Sequence, residues 1–199
     1  MIEDRTEPLT GGPAEAPEPR FVAGHPVLDL VNTAVWRSDG TRAAELVPDA
    51  AAWARWAAAA GLTPATAADV PALLRLRDAL GATLDAAAAG VEPPPLACET
   101  LHDAFVSARA HAALPPALPL RWAPTSLPDE LALLAEELLG DTQKLSRVRR
   151  CEGRGCGWFF LDRSRNGARR WCSSGDCGNR DRARRHYARK RGGPDQASH

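Results

Sequence analysis

Four cysteines near the end of this 199-residue chain, Cys151-x4-Cys156-x15-Cys172-x4-Cys177, constrain its fold more than any other feature. Two close pairs separated by a loop of hairpin length can place four thiolates at the corners of one tetrahedron, the arrangement that structural zinc prefers. An iron–sulfur cluster and disulfide pairing are the alternatives for the same residues. Four thiolates on one divalent cation leave no open coordination position, so the pattern predicts one structural Zn2+ held by Cys151, Cys156, Cys172 and Cys177. A segment this short buries little apolar surface, and metal binding then supplies much of its folding free energy.

The charges are segregated around this block. Residues 1–144 carry 10 Lys and Arg against 20 Asp and Glu, whereas residues 145–191 carry 15 against 4. The formal net charge of zero therefore conceals an acidic body joined to a strongly basic end, an asymmetry that points to a polyanionic partner. No stretch reaches the roughly 20 apolar residues that span a bilayer, and the N-terminus lacks the basic start and apolar core of a signal peptide. These features predict a cytoplasmic protein with no membrane partner. In a reducing compartment, clustered cysteines serve as metal ligands more readily than as disulfides.

Along the chain, residues 1–20 and 192–199 read as disordered tails, rich in proline, glycine and charge with little to bury. Residues 21–144 read as a mainly α domain with a short β element. Val27, Leu28, Val31 and Val35 recur at helical spacing after Pro26, and Asp29 and Asn32 share one side of that helix, placed to hold a common partner. After a polar turn at residues 38–41, Asp49 caps a helix ending at Gly61, with Trp53 and Trp56 on its apolar stripe. A third helix follows Asp69 and Pro71 and ends at Gly90, with Leu73, Leu76, Leu80 and Leu84 on one face. Leu101, Phe105 and Ala108 mark a fourth, Leu118 to Trp122 reads as a short edge strand, and Asp129 caps or opens a fifth helix that stops at Gly140. Cys98 reads as a small buried thiol on the fourth helix.

Residues 145–191 read as a small zinc-binding hairpin and helix. Trp158 to Leu161 forms one strand, Ser164 to Gly167 the turn, and Arg169 to Cys172 the antiparallel return, with Trp158, Phe160 and Trp171 as a miniature core. Gly153, Gly155, Gly175 and Gly178 let backbone N–H groups approach the thiolates. Downstream, Asn179 caps a helix whose Ala183 and Tyr187 pack on the knuckle while Arg182, Arg185 and Arg189 face outward. Those three, with Arg169, Arg170 and Arg180, are the candidate phosphate contacts, and Asn179 also suits a base contact.

The strings Cys151-x4-Cys156-x-Trp158-Phe-Phe-Leu-Asp162-x-Ser164, Arg169-Arg-Trp-Cys172-Ser and Cys177-Gly-Asn-Arg180 closely resemble the CGNR zinc-finger family. His25-Pro-Val-Leu-Asp-Leu-Val-Asn-Thr33 is similar to the opening motif of the ABATE domain, which commonly precedes that finger. The resemblance implies a bacterial stress-linked transcription regulator with a helical sensory domain and a DNA-binding zinc finger, and it carries over the four cysteines as ligands. This chain departs from the pattern at Ser174, where methionine is frequent, and at Asp181, which bears on a nearby phosphate contact. Asp29, Asn32 and Thr33 are candidates for an effector site, with helix packing as the alternative role. Double-stranded DNA is the expected partner, beside a small-molecule effector and a second copy of the chain in a homodimer. RNA or the ribosome is the alternative. The five histidines show no metal-ligand pattern, and neither a phosphate loop nor a nucleophile elbow is present, so no enzymatic activity is expected.

Overall fold

The computed structural model describes residues 20–36 and 42–191, and for Trp36 and Arg191 the backbone only. The two expected disordered tails, apart from Arg20, and the expected polar turn at residues 38–41 lie outside the described residues. The body consists of α1 (Pro26–Val31), a hairpin of β1 (Ala34–Trp36) and β2 (Arg42–Glu45), α2 (Ala50–Ala60), α3 (Val70–Ala89), α4 (Pro95–His111), α5 (Leu127–Gly140) and the single turn α6 (Thr142–Leu145). Then come β3 (Val148–Arg150), β4 (Phe159–Leu161) and the basic α7 (Cys177–Arg191). Among the described residues the chain is mainly α, with two small antiparallel strand pairs.

Local chemistry sets most helix ends. The Asp49 carboxylate accepts from Ala52 N at 2.8 Å and opens α2, while Gly61 and Gly90 take the left-handed conformation that closes α2 and α3. Leu73, Leu76, Leu80 and Leu84 of α3, Leu131 and Leu138 of α5, and Trp53 and Trp56 of α2 share one core with Val27, Leu28 and Val31 of α1. Tryptophans and leucines supply its volume, and the many alanines allow close helix approach.

Five local expectations are corrected. The first helix ends at Val31, and Val35 lies in β1, because the Thr33 hydroxyl donates back to Leu30 O at 2.7 Å and the β-prone Ala-Val-Trp run then pairs with β2. The N-cap of α5 is Ser126, whose hydroxyl accepts from Asp129 N and donates to Asp129 Oδ2 at 2.8 Å. Leu118 to Trp122 forms no strand among the described residues. Prolines limit that segment to one isolated bridge, Ala113 with Ala123, and leave Leu118 and Leu120 exposed. Cys98 is exposed, since α4 turns Ala97, Leu101 and Ala108 inward and Cys98 points away from that stripe. Asp29 and Asn32 do not share a partner: Asp29 Oδ1 accepts from Ala23 N at 3.0 Å, and Asn32 reaches β4.

The strand β4 joins the basic end to the body. Period-two alternation sends Phe159 and Leu161 into the helical core and Phe160, fully buried, toward the cysteines. Asn32 closes a two-point contact on the β4 backbone, donating from Nδ2 to Phe159 O at 2.8 Å and accepting from Phe159 N at 3.0 Å. Leu161 N donates to Ala23 O at 2.7 Å, and Trp158 Nε1 donates to Ala34 O at 3.1 Å. Arg150 of β3 pairs with Asp85 of α3 and lies over the Phe159 ring. Replacing Asn32 by alanine strands a buried N–H and a buried C=O together. Asn32→Ala is expected to cost about 3 kcal/mol, read as a lower urea midpoint at unchanged slope.

Candidate metal centre and nucleic-acid interface

The strand β4 does not pair with the Arg169–Cys172 return. Its partner is β3, just before the first cysteine, in the register Val148 with Leu161, Arg149 with Phe160 and Arg150 with Phe159. The other edge of β4 is already occupied, with both backbone groups of Phe159 held by Asn32 and Leu161 N bonded to Ala23 O, and the return is engaged instead by Asp162. This buried carboxylate accepts from Ser164 N at 2.9 Å, Ser164 Oγ at 2.6 Å and Arg169 N at 3.1 Å, so it organises the turn and engages the return segment by side chain rather than by ladder. Burial opposes ionisation there, yet these hydrogen bonds outweigh it and hold the carboxyl below its ordinary value. The two cysteine pairs still meet. Cys151 N donates to Trp158 O at 2.8 Å and Glu152 N to Arg170 O at 3.0 Å, seating the first knuckle beside the second.

The Sγ atoms of Cys151, Cys156, Cys172 and Cys177 all lie within 4.8 Å of one another. Cys156 and Cys172 are 3.9 Å apart, and Cys172 and Cys177 are 3.7 Å apart. A tetrahedral zinc with Zn–S bonds of about 2.3 Å requires sulfur edges of about 3.8 Å. Gly153 is required for this closeness, since a Cβ there would stand 2.9 Å from Cys177 Sγ, and Gly155 supplies a positive φ of 74°. Trp158, Phe160 and, partly, Trp171 cover the cysteines as the expected miniature core.

The thiols cannot all ionise unaided. Hydrogen bonds from the Cys156 and Cys172 thiols, then from the Cys172 and Gly153 amides, hold Cys151 well below its ordinary value, and its anion in turn pushes Cys156 and Cys172 up. A divalent cation removes that conflict, which is why the donor set fits zinc. The charge left over is met by donors: Gly153 N and Cys172 N to Cys151 Sγ at 3.4 and 3.3 Å, and Arg180 to Cys177 Sγ at 3.1 Å. Gly178 does not join them; its N–H goes to Ser173 O, and its Cα packs near Trp171.

The residues expected to contact nucleic acid separate into two groups. Arg169 is turned inward, with Nε to Trp171 O at 2.9 Å, a second nitrogen bonding Val22 O and Cys172 O, and its guanidinium 4.4 Å above the Phe160 ring. Arg180 is shared between Cys177 and Asp176. Asn179 does not cap α7. The helix starts two residues earlier, with Arg180 N bonded to Asp176 O, and Asn179 Nδ2 donates to Gly175 O at 2.7 Å. Arg170, Arg182, Arg185 and Arg189 lie on the surface. Arg170 pairs with Glu152, Arg182 bonds Ser174 O and Asn179, and Arg184 and Arg185 both pair with Asp181. Arg189 bonds none of the described residues.

The expected packing of Ala183 and Tyr187 on the knuckle is absent. Both are exposed, Tyr187 at 65%, because α7 leaves the metal module after its first turn and every described side chain from residue 182 to 190 is exposed. Asp29, Asn32 and Thr33 are buried beneath β4 and bonded to the chain itself. Burial raises the Asp29 carboxyl to about 6. Arg77, for which the sequence pattern gives no signal, is fully buried and bonds Thr33 Oγ1 at 3.2 Å and Glu45 at 2.8 Å, tying α3 to the β1–β2 hairpin. Helical periodicity gives no signal for a cation on the inner face. The thiolate role of Arg180 was legible only as adjacency to Cys177.

A closed four-cysteine centre beneath a projecting basic helix, fused to a helical body, defines a zinc-finger protein. Residues 147–190 match the CGNR zinc finger, and residues 24–142 match the ABATE family, described as "Putative stress-induced transcription regulator". The chain belongs to the ABATE family and carries a CGNR zinc finger that binds one zinc ion in a structural site. A search of curated proteins finds no match. Arg180→Ala is expected to lower zinc affinity about 10- to 100-fold in competition with a chromophoric chelator, while Arg184→Ala, remote from the sulfurs, leaves it unchanged.

Proposed function

We propose that this protein is a DNA-binding transcriptional regulator of the bacterial cytoplasm, with no catalytic role. In this reading residues 145–191 engage the double helix, and residues 21–144 sense a small-molecule signal or bring two copies together. The observation that carries the reading is the geometry of α7. Beyond its first turn this helix is exposed on every side, so a stretch with arginine at positions 182, 184, 185 and 189 gains little from packing and much from a polyanion. Its diameter suits a DNA major groove, and guanidinium groups match phosphate oxygens bidentately. Asp181 holds Arg184 and Arg185 in the free protein and releases them when phosphates compete. Arg170 on the adjacent knuckle extends the same basic surface, whereas Arg169 is committed to the module's interior.

Fluorescence anisotropy with labelled duplex DNA over a salt series tests the reading. Affinity falls linearly on a log–log plot, and the variant carrying Arg182→Ala, Arg185→Ala and Arg189→Ala flattens the slope by about two to three units. Unchanged affinity and slope in that variant remove this face from the interface. Preferential capture of single-stranded RNA over duplex DNA replaces the DNA reading with an RNA one.

A further inference from the structure

The helical body contains a cleft of about 540 Å3 where α3, α4 and the start of α5 converge, inside the range of about 300 to 1,000 Å3 occupied by small-molecule sites. Its apolar wall is made by Ala72 and Leu76 of α3 and Ala104 of α4. The alanines leave open the space that larger side chains would fill.

The polar groups of the cleft differ in how far they are already engaged. Asp129 is buried, accepts from the Ser126 hydroxyl at 2.8 Å and lies 3.5 Å from His111 Nδ1. Asp69 accepts from Thr66 N and Oγ1 at 2.7 and 2.8 Å. Arg75 of α3 and Asp103 of α4 also line the cleft, and among the described residues neither forms a hydrogen bond or an ion pair, with each other or with any neighbour. Opposite charges thus line one cleft from two packed helices, α3 and α4. A simple anion at Arg75 would also meet the field of three carboxylates, and a simple cation at Asp103 would meet the guanidinium. A molecule carrying both charges satisfies both walls.

We propose that this cleft binds a free α-amino acid, its carboxylate on Arg75, its ammonium on Asp103 and its side chain against Ala72, Leu76 and Ala104. The inference rests on the signal-sensing part of the proposed regulator and names the chemical class of the signal. The fold also provides a route outward. Arg75 and Asp85 are ten residues apart on the continuous helix α3, about 15 Å along its axis, and Asp85 pairs with Arg150 of β3 beside the metal centre.

The test is isothermal titration of the zinc-loaded full chain with each proteinogenic L-amino acid, with acetate and methylamine as half-ligands. A subset of amino acids is expected to bind saturably, with each half-ligand at least about tenfold weaker. Arg75→Ala and Asp103→Asn are each expected to weaken binding about tenfold or more. Both residues are exposed, so these variants keep the wild-type melting temperature, and Ala72→Leu, which fills the cleft, blocks binding independently. The proposal is overturned if no amino acid binds saturably, if a half-ligand binds as well, or if Arg75→Ala and Asp103→Asn bind like wild type. Duplex DNA binding by the same preparation, measured without amino acid, separates the two readings. Amino-acid binding without DNA binding sinks the regulator and keeps the site, while DNA binding without amino-acid binding sinks the site alone.

Discussion

The three-residue strand β4 is the constraint on which the rest of this structure depends. One side of it, Phe159 and Leu161, completes the core of the helical body, and the other, Phe160, completes the small core over the cysteines. Asn32 satisfies both backbone groups of Phe159 at once, so the register of β4 against α1 is fixed by two directional bonds in a buried setting. A shift by one residue would exchange the two faces and put Phe160 into the helical core. The zinc module is thus seated on the body in one register.

Electrostatics shapes the other side of the module. Four thiolates around one divalent cation form a dianion, and this chain answers it with backbone amides and with Arg180 at 3.1 Å from Cys177. Arginine therefore has two occupations within a few residues of sequence. Arg169 and Arg180 hold the module together, Arg182 is exposed but also bonds Ser174 O of the second knuckle, and Arg185 and Arg189 stand outside it on α7. Asp181 tempers the outer group by pairing with Arg184 and Arg185, which lowers like-charge repulsion along a helix that is exposed beyond its first turn.

Much of this was legible in the chain before its structure, and what was legible was local. Cysteine spacing gave the ligand set because knuckle geometry depends on a few neighbouring residues. The caps at Asp49, Gly61 and Gly90 gave helix ends for the same reason. Two readings failed where a distant partner decided the outcome. Trp158 to Leu161 was recognisable as a strand, but its pairing with residues 148–150 was not, because Asn32 and Ala23, far away in sequence, occupy the edge that a simple hairpin would use. Asn32 was singled out for its spacing from Asp29, yet its partner lies 127 residues away, which no periodicity reveals. Charge counts likewise could not tell an inward arginine such as Arg169 or Arg77 from an outward one.

The most direct test of this account is hydrogen exchange of the full chain before and after removal of zinc by a chelator. If β4 joins the metal module to the body, zinc removal deprotects the amides of Phe159 and Leu161 and also those at the end of α1 and the start of β1, from Asn32 to Val35, while α5 keeps its protection. Loss of protection confined to residues 148–190, with the residues around Asn32 exchanging as before, would contradict it.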